Sequence, residues 1–182
     1  MTLIAPLTEP FASVGRLATL LQQGIPEPEF WPAFETAMGS AFGHKLFTVL
    51  AFDADKSLMR RLYSNREDVS PTGGAKRVTD SPWTQHVLRE GKLMMGSQRE
   101  DIKIYSEYEL LWSIGCESFL NIPVRKNGVT VGTINLLDRA GRYDGCSIEA
   151  ALTFAQFGSD KLSQYLATAP DGPADDAQLE HV

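Results

Sequence analysis

Three polar residues stand inside runs that are otherwise apolar and rich in strand formers: Asn121 in SFLNIPV, and Thr133 and Asn135 in VTVGTINLLD. Side chains alternate along a strand, so Val131, Thr133, Asn135 and Leu137 share one face, and Thr130, Gly132, Ile134 and Leu136 share the other. A polar group in the middle of a sheet needs a partner, and an amide offers both donor and acceptor. Asn135 and Thr133 therefore suit the floor of a small-molecule pocket; the alternative is that loop backbone satisfies them. On the pocket reading, Asn135→Leu abolishes ligand binding with little loss of stability. Asn121 and nearby Ser118 carry the same two readings. Trp83, Tyr105, Tyr108 and Trp112 add rings with polar handles, the usual material of a pocket wall. For both tryptophans the alternative is packing onto the sheet.

Other chemistry is poorly supported by spacing. Cys116 and Cys146 form no CxxC pair and have no neighbouring histidine, so no metal is expected. A reactive Cys116 would need a depressed pKa, which adjacent Glu117 opposes. His44, His86 and His181 lie far apart, and no Ser-His-Asp arrangement is suggested. Gly73, Gly74 and Lys76 lack the GxxxxGK[ST] spacing of a phosphate loop; the glycines read as a turn. No catalytic residue and no cofactor is assigned.

The elements that must position these residues follow from periodicity. Phe11, Val14, Leu17, Ala18 and Leu21 mark a first helix, and Phe30, Phe34, Met38, Ala41 and Phe42 a second. LFTVLAF, residues 46–52, reads as a buried central strand. Residues 58–63 form its hairpin partner, which Arg60 and Arg61 mark as more exposed. Ser64 to Thr79 reads as one long loop. Ser81-Pro82 opens a short helix, Leu93 to Met95 is a short strand, and Ser106 to Glu109 fits a capping box. Asn127-Gly128 joins two further strands in a hairpin. A last helix runs from Ser147 to about Ala167. The expected divisions are an N-terminal helix (1–27), one main domain (28–167) and a disordered acidic tail (168–182).

The formal net charge is -6, and Lys and Arg are scattered, which argues against nucleic acid and polybasic membrane contact. No apolar run approaches the ~20 residues of a membrane span. MTLIAPLTEPF lacks the basic and apolar regions of a secretory signal, so the expected location is cytoplasmic.

The order of elements, together with Gly115, Ser118, Asn121, Pro123, Gly128, Gly132, Asn135 and Leu136, resembles the GAF family over roughly residues 28–166. PTGGAK followed by Asp80, Pro82 and Trp83 looks like one bacterial subgroup of stand-alone GAF proteins. The resemblance implies an α+β domain with a central antiparallel sheet of five or six strands. Two or three helices, including the first and last, would cover one face; the long loop and the Trp83 and Leu110 helices would close a pocket on the other. Free methionine-(R)-sulfoxide reductases are GAF enzymes with loop cysteines near Cys116, but Asn135 and Leu137 stand where they carry acidic residues. Two functions remain open. One is a small-molecule sensor acting through a partner protein. The other is a small-molecule enzyme (hydrolase, lyase or reductase) using the same pocket.

On the last helix, Ile148, Leu152, Ala155, Leu162 and Leu166 form one apolar stripe, and Phe154, Phe157 and Tyr165 a second. The second stripe suggests a homodimer through terminal helices.

Overall fold

A computed structural model describes residues 8–169 and 180–181. The chain divides into two compact units, residues 1–44 and 45–182. In the first, α1 (Thr8–Gln22) and α2 (Glu27–Phe42) form a helical pair. Proline at the start of α2 suits a position whose N–H has no helical partner. Phe30, Trp31 and Phe34 meet as edge-on and tilted rings.

The second unit is built on a sheet. Its strands are β1 (Leu46–Asp53), β2 (Leu58–Ser64), β3 (Ala75–Arg77), β4 (Met94–Gly96), β5 (Ser118–Lys126) and β6 (Val129–Asp138). They lie in the order β4-β5-β6-β1-β2-β3, every pairing antiparallel. At the outer edge of β3, Glu180–His181 adds a two-residue parallel pairing, β7. The rest of the acidic tail beyond Ala169 lies outside the described residues.

Turn chemistry sets the register. Asn127 and Gly128 take φ of 52° and 80°, the left-handed pair that a two-residue hairpin requires. Pro123 sits on β5 beyond the reach of β4, which pairs only with residues 119–121. Its missing N–H therefore breaks no ladder. The stretch 64–79, expected as loop throughout, contains the short strand β3. Three residues, two of them basic, are too short to show alternation.

The last helix departs from expectation. It breaks at Gly158 into α4 (Ile148–Phe157) and α5 (Ser159–Thr168). Gly158 N–H turns back to Ala155 O, and Ser159 Oγ donates to Gln156 O, the Gly/Ser cause of a kink. The two stripes are also redistributed. Ala151, Phe154, Ala155 and Leu162 are buried, whereas Ile148 and Leu152 are 46% and 40% exposed. Phe154 thus belongs to the inward stripe: it follows Ala151 by three residues on one face of α4, and Ile148 and Leu152 share the other.

α4 and α5 lie on the back of β1, β5 and β6. Leu162 reaches Gly132 there, where a side chain would collide with Leu50 O. On the front lie a π-helical turn (Thr84–Arg89), a 3-10 segment (Arg99–Ile104) and α3 (Tyr108–Ser113). Ser81 Oγ accepts from Thr84 N–H at 3.1 Å, as its capping role predicts. The capping box expected at Ser106 does not form: Ser106 Oγ donates to Glu107 instead. A box stands at Gln98–Asp101, where Asp101 accepts from the backbone of Ser97 and Gln98. No helix among the described residues is long and apolar enough to cross a membrane.

Candidate functional site

Strand register brings the polar residues of the front face side by side. Asn121 stands opposite Asn135 across β5 and β6, and Asn135 stands opposite Thr48 on β1. Asn135 Nδ2 donates to Thr48 Oγ1 (3.3 Å) and Thr133 Oγ1 (3.2 Å). Its Oδ1 accepts from Asn121 Nδ2 at 2.9 Å. Asn121 Oδ1 in turn accepts two hydrogen bonds, from Trp83 Nε1 (2.9 Å) and from the Tyr105 hydroxyl (2.8 Å). A ladder of side-chain bonds thus crosses three strands and reaches up into the segments covering them.

Between that floor and its cover lies a cavity of about 60 Å³. Thr48, Leu50, Thr133 and Asn135 form its base, and Trp83, Tyr105 and Leu111 lie over it. Arg61, Ser70, Lys76 and Glu107 supply the polar side. The volume suits a few water-sized groups, at about 10–15 Å³ each. It is far below the roughly 300–1,000 Å³ of sites for drug-sized ligands.

Solved structures share this architecture. The GAF domain of a phosphoenolpyruvate-protein phosphotransferase from Acinetobacter superposes with a TM-score of 0.68 at 9% identity, covering 87% of this chain and 95% of that one. The corresponding GAF domain from Coxiella burnetii gives 0.64 at 10% identity, covering 89% and 95%. The chain folds as a GAF domain. The chromophore-binding domain of a bacteriophytochrome from R. palustris also aligns, with a TM-score of 0.64 at 15% identity, over 88% of this chain and 63% of that one. No protein-family model matches the sequence. No curated protein matches it either.

Within this GAF fold the residues singled out from sequence separate into two groups. Asn135, Thr133, Trp83 and Tyr105 line the cavity. Asn121 is fully buried behind the wall and holds Trp83, Tyr105 and Asn135 together. The remaining four stand away from the cavity. Ser118 donates to Arg139 O at 2.7 Å. Trp112 donates its indole N–H to Arg99 O at 3.0 Å and stacks edge-on with Tyr108, with the Arg99 guanidinium over its ring. Cys116 is buried in a core cluster with Leu46, Phe119 and Leu137. Loop backbone does not satisfy Asn135; neighbouring side chains do.

Sequence reasoning missed Arg61, Lys76, Glu107, Thr48, Ser70 and Met59, all on the cavity wall. The sequence marks the strand of Arg61 as more exposed, yet Arg61 is 7% exposed. Its position two residues after Met59 on a period-2 strand was the available signal. Arg61 Nη1 donates to Pro71 O at 3.0 Å. Lys76 Nζ meets Glu107 Oε1 at 2.8 Å. Burial alone would raise the Glu107 carboxyl; the charge and hydrogen bond of Lys76, helped by Ser106, outweigh it and hold the group below its ordinary value. Burial keeps the Tyr105 phenol protonated far above its usual range, with the Asn121 bond opposing only in part. Burial also pushes the Cys116 thiol up to about 11, against the pull of Lys45.

Proposed function

We propose that this GAF domain is a small-molecule sensor acting in the cytoplasm, holding its ligand between the sheet and the Trp83–Tyr105 cover and passing the signal to a partner protein. The observation that carries the reading is the cavity itself, whose polar floor is bonded through Asn121 to both covering segments. A ligand touching Trp83 or Tyr105 has different contacts with two positions of the cover, which is the requirement for a ligand to shift a conformational equilibrium. One structural neighbour is, by its name, a chromophore-binding domain, which supports a ligand-binding role.

The enzyme reading gains less from the geometry. A reductase would need a reactive thiol, and Cys116 sits in the core with its pKa raised to about 11. The hydroxyls of Thr48, Ser70 and Thr133 share the described wall with no imidazole to activate them.

The proposal includes a homodimer. Ile148 and Leu152 face outward on α4, 46% and 40% exposed, an apolar pair suited to a second copy. Light scattering at micromolar concentration should give twice the 20.1 kDa chain mass.

Native mass spectrometry of freshly purified protein tests the sensor reading. A bound small molecule, released on denaturation and lost from a variant with the cavity filled, is the expected result. Protein that carries no adduct, and whose melting temperature responds to no member of a metabolite panel, would overturn it.

A further inference from the structure

A second recess, of about 500 Å³, lies where the β1–β2 turn, the β5–β6 turn and the π-helical turn Thr84–Arg89 meet. It shares no lining residue with the cavity described above. Phe52, Val78, Leu88 and Val129 give it apolar walls, and Val129 is 56% exposed. Its charged residues are Arg89 and Arg125; no carboxylate lines it among the described residues. The acids that flank these segments stand outside it. Asp53, Asp80 and Glu90 bond to Lys56, Gln85 and Lys92, and Asp55 is exposed in its turn.

Arg125 is held in place there. Gly91 takes a φ of 65°, and a Cβ on it would come within 2.7 Å of Arg125 Cδ, Nε and Cζ, so the arginine rests directly on the glycine backbone. That contact brings Arg125 to within two residues of Arg89 along the chain. Arg125 Nη2 donates to Gly128 O. Its Nε is shielded from solvent and has no hydrogen-bond partner among the described residues, and the same holds for Thr130 Oγ1, on a lining residue 4% exposed. Arg89 is exposed and makes no ion pair or side-chain hydrogen bond among the described residues. We propose that this groove binds an organic anion, a carboxylate or phosphate monoester with an apolar body, its charged group between Arg89 and Arg125 and its body against Leu88 and Val129. Guanidinium groups match the paired oxygens of both anions, and an oxygen seated there gives Arg125 further acceptors. The volume falls in the roughly 300–1,000 Å³ range of sites for small organic ligands. The groove is independent of the sensor reading, which concerns the other cavity.

The test uses the full chain at constant ionic strength set with chloride. Hexanoate and phenyl phosphate are titrated by calorimetry, beside hexanamide, which keeps the apolar body without the charge, and acetate, which keeps the charge without the body. At least one of the first two should bind saturably, and hexanamide and acetate at least tenfold more weakly. Which of the two saturates tells carboxylate from phosphate. Arg89→Gln and Arg125→Gln should each weaken that probe at least fivefold, with circular dichroism confirming the fold. Val129→Glu, a like charge at an exposed position, should abolish binding. If Arg125→Gln fails to fold, Arg89→Gln and Val129→Glu still decide. Affinity unchanged in these variants would place the anion elsewhere and overturn the inference. Hexanamide binding as tightly as hexanoate would overturn the role of the arginines, and acetate doing so would overturn the apolar body. Binding of neither hexanoate nor phenyl phosphate would remove the groove as a site and leave the sensor reading untouched.

Discussion

The two faces of one sheet differ more than any two strands of it do. On the back, β1, β5 and β6 present Phe47, Val49, Ala51, Leu120, Ile122, Val124, Ile134 and Leu136, none more than 1% exposed. On the front, the alternate residues of the same strands include Thr48, Asn121, Thr133 and Asn135, joined by side-chain hydrogen bonds. The back is close-packed hydrocarbon under α4 and α5, where removal of volume leaves a hole. The front carries a network of side-chain hydrogen bonds, where removal of one group strands another. Hydrocarbon packing and side-chain hydrogen bonding are thus separated by a single step along the chain.

Breaking the back face should cost most. Ile134→Ala should lower unfolding free energy by about 2–5 kcal/mol, measured by urea denaturation, with ligand binding retained by the folded fraction. A loss smaller than that of the front-face variants would undo the contrast.

Asn135→Leu should cost about 1–3 kcal/mol, because the Asn121 amide loses its acceptor while remaining buried. This replaces the sequence-based expectation of little stability change, and binding should be lost as well. A variant as stable as the wild type would mean that the ladder contributes nothing to the fold.

Glu107→Gln should cost about 1 kcal/mol at neutral pH, read from the same denaturation curves. Its folded-state pKa lies below the ordinary value of 4.5. The stabilisation is therefore complete above that value and is lost as pH falls through the folded-state value. The gap between wild type and Glu107→Gln should narrow as pH falls below 4.5; a gap independent of pH would show that charge is not its origin.

The smallest effect on stability is expected outside both faces. Leu152→Glu, on the outward side of α4, should change unfolding by no more than about 0.5 kcal/mol yet shift light scattering from dimer to monomer. An unaltered mass would dismiss this stripe as the seam.

How much of this was legible before the coordinates depended on distance along the chain. Asn127-Gly128 and the alternation of β6 could be read directly, because turn dihedrals and period-2 burial are local properties. Asn135 and Thr133 were found because a polar residue in an apolar strand is conspicuous. Lys76 and Glu107 were not, since their pairing joins residues 31 apart and neither stands in a regular run. Arg61 misled because charge usually means exposure, and a cavity is an exception that only tertiary structure creates. The break at Gly158 was hidden by good helix formers on both sides.

Asn121 has one further consequence. The indole N–H of Trp83 can only donate, so the oxygen of the Asn121 amide must face the cover and its nitrogen must face Asn135. That choice fixes the Asn135 amide in turn, with its nitrogen toward Thr48 and Thr133. The ladder has a direction: protons point from cover to sheet, and neither amide can turn over alone without setting donor against donor. The side-chain amide resonances of Asn121 and Asn135 should therefore move together in an NMR titration, and their pair of signals would report whether Trp83 and Tyr105 are seated, with no label on either ring.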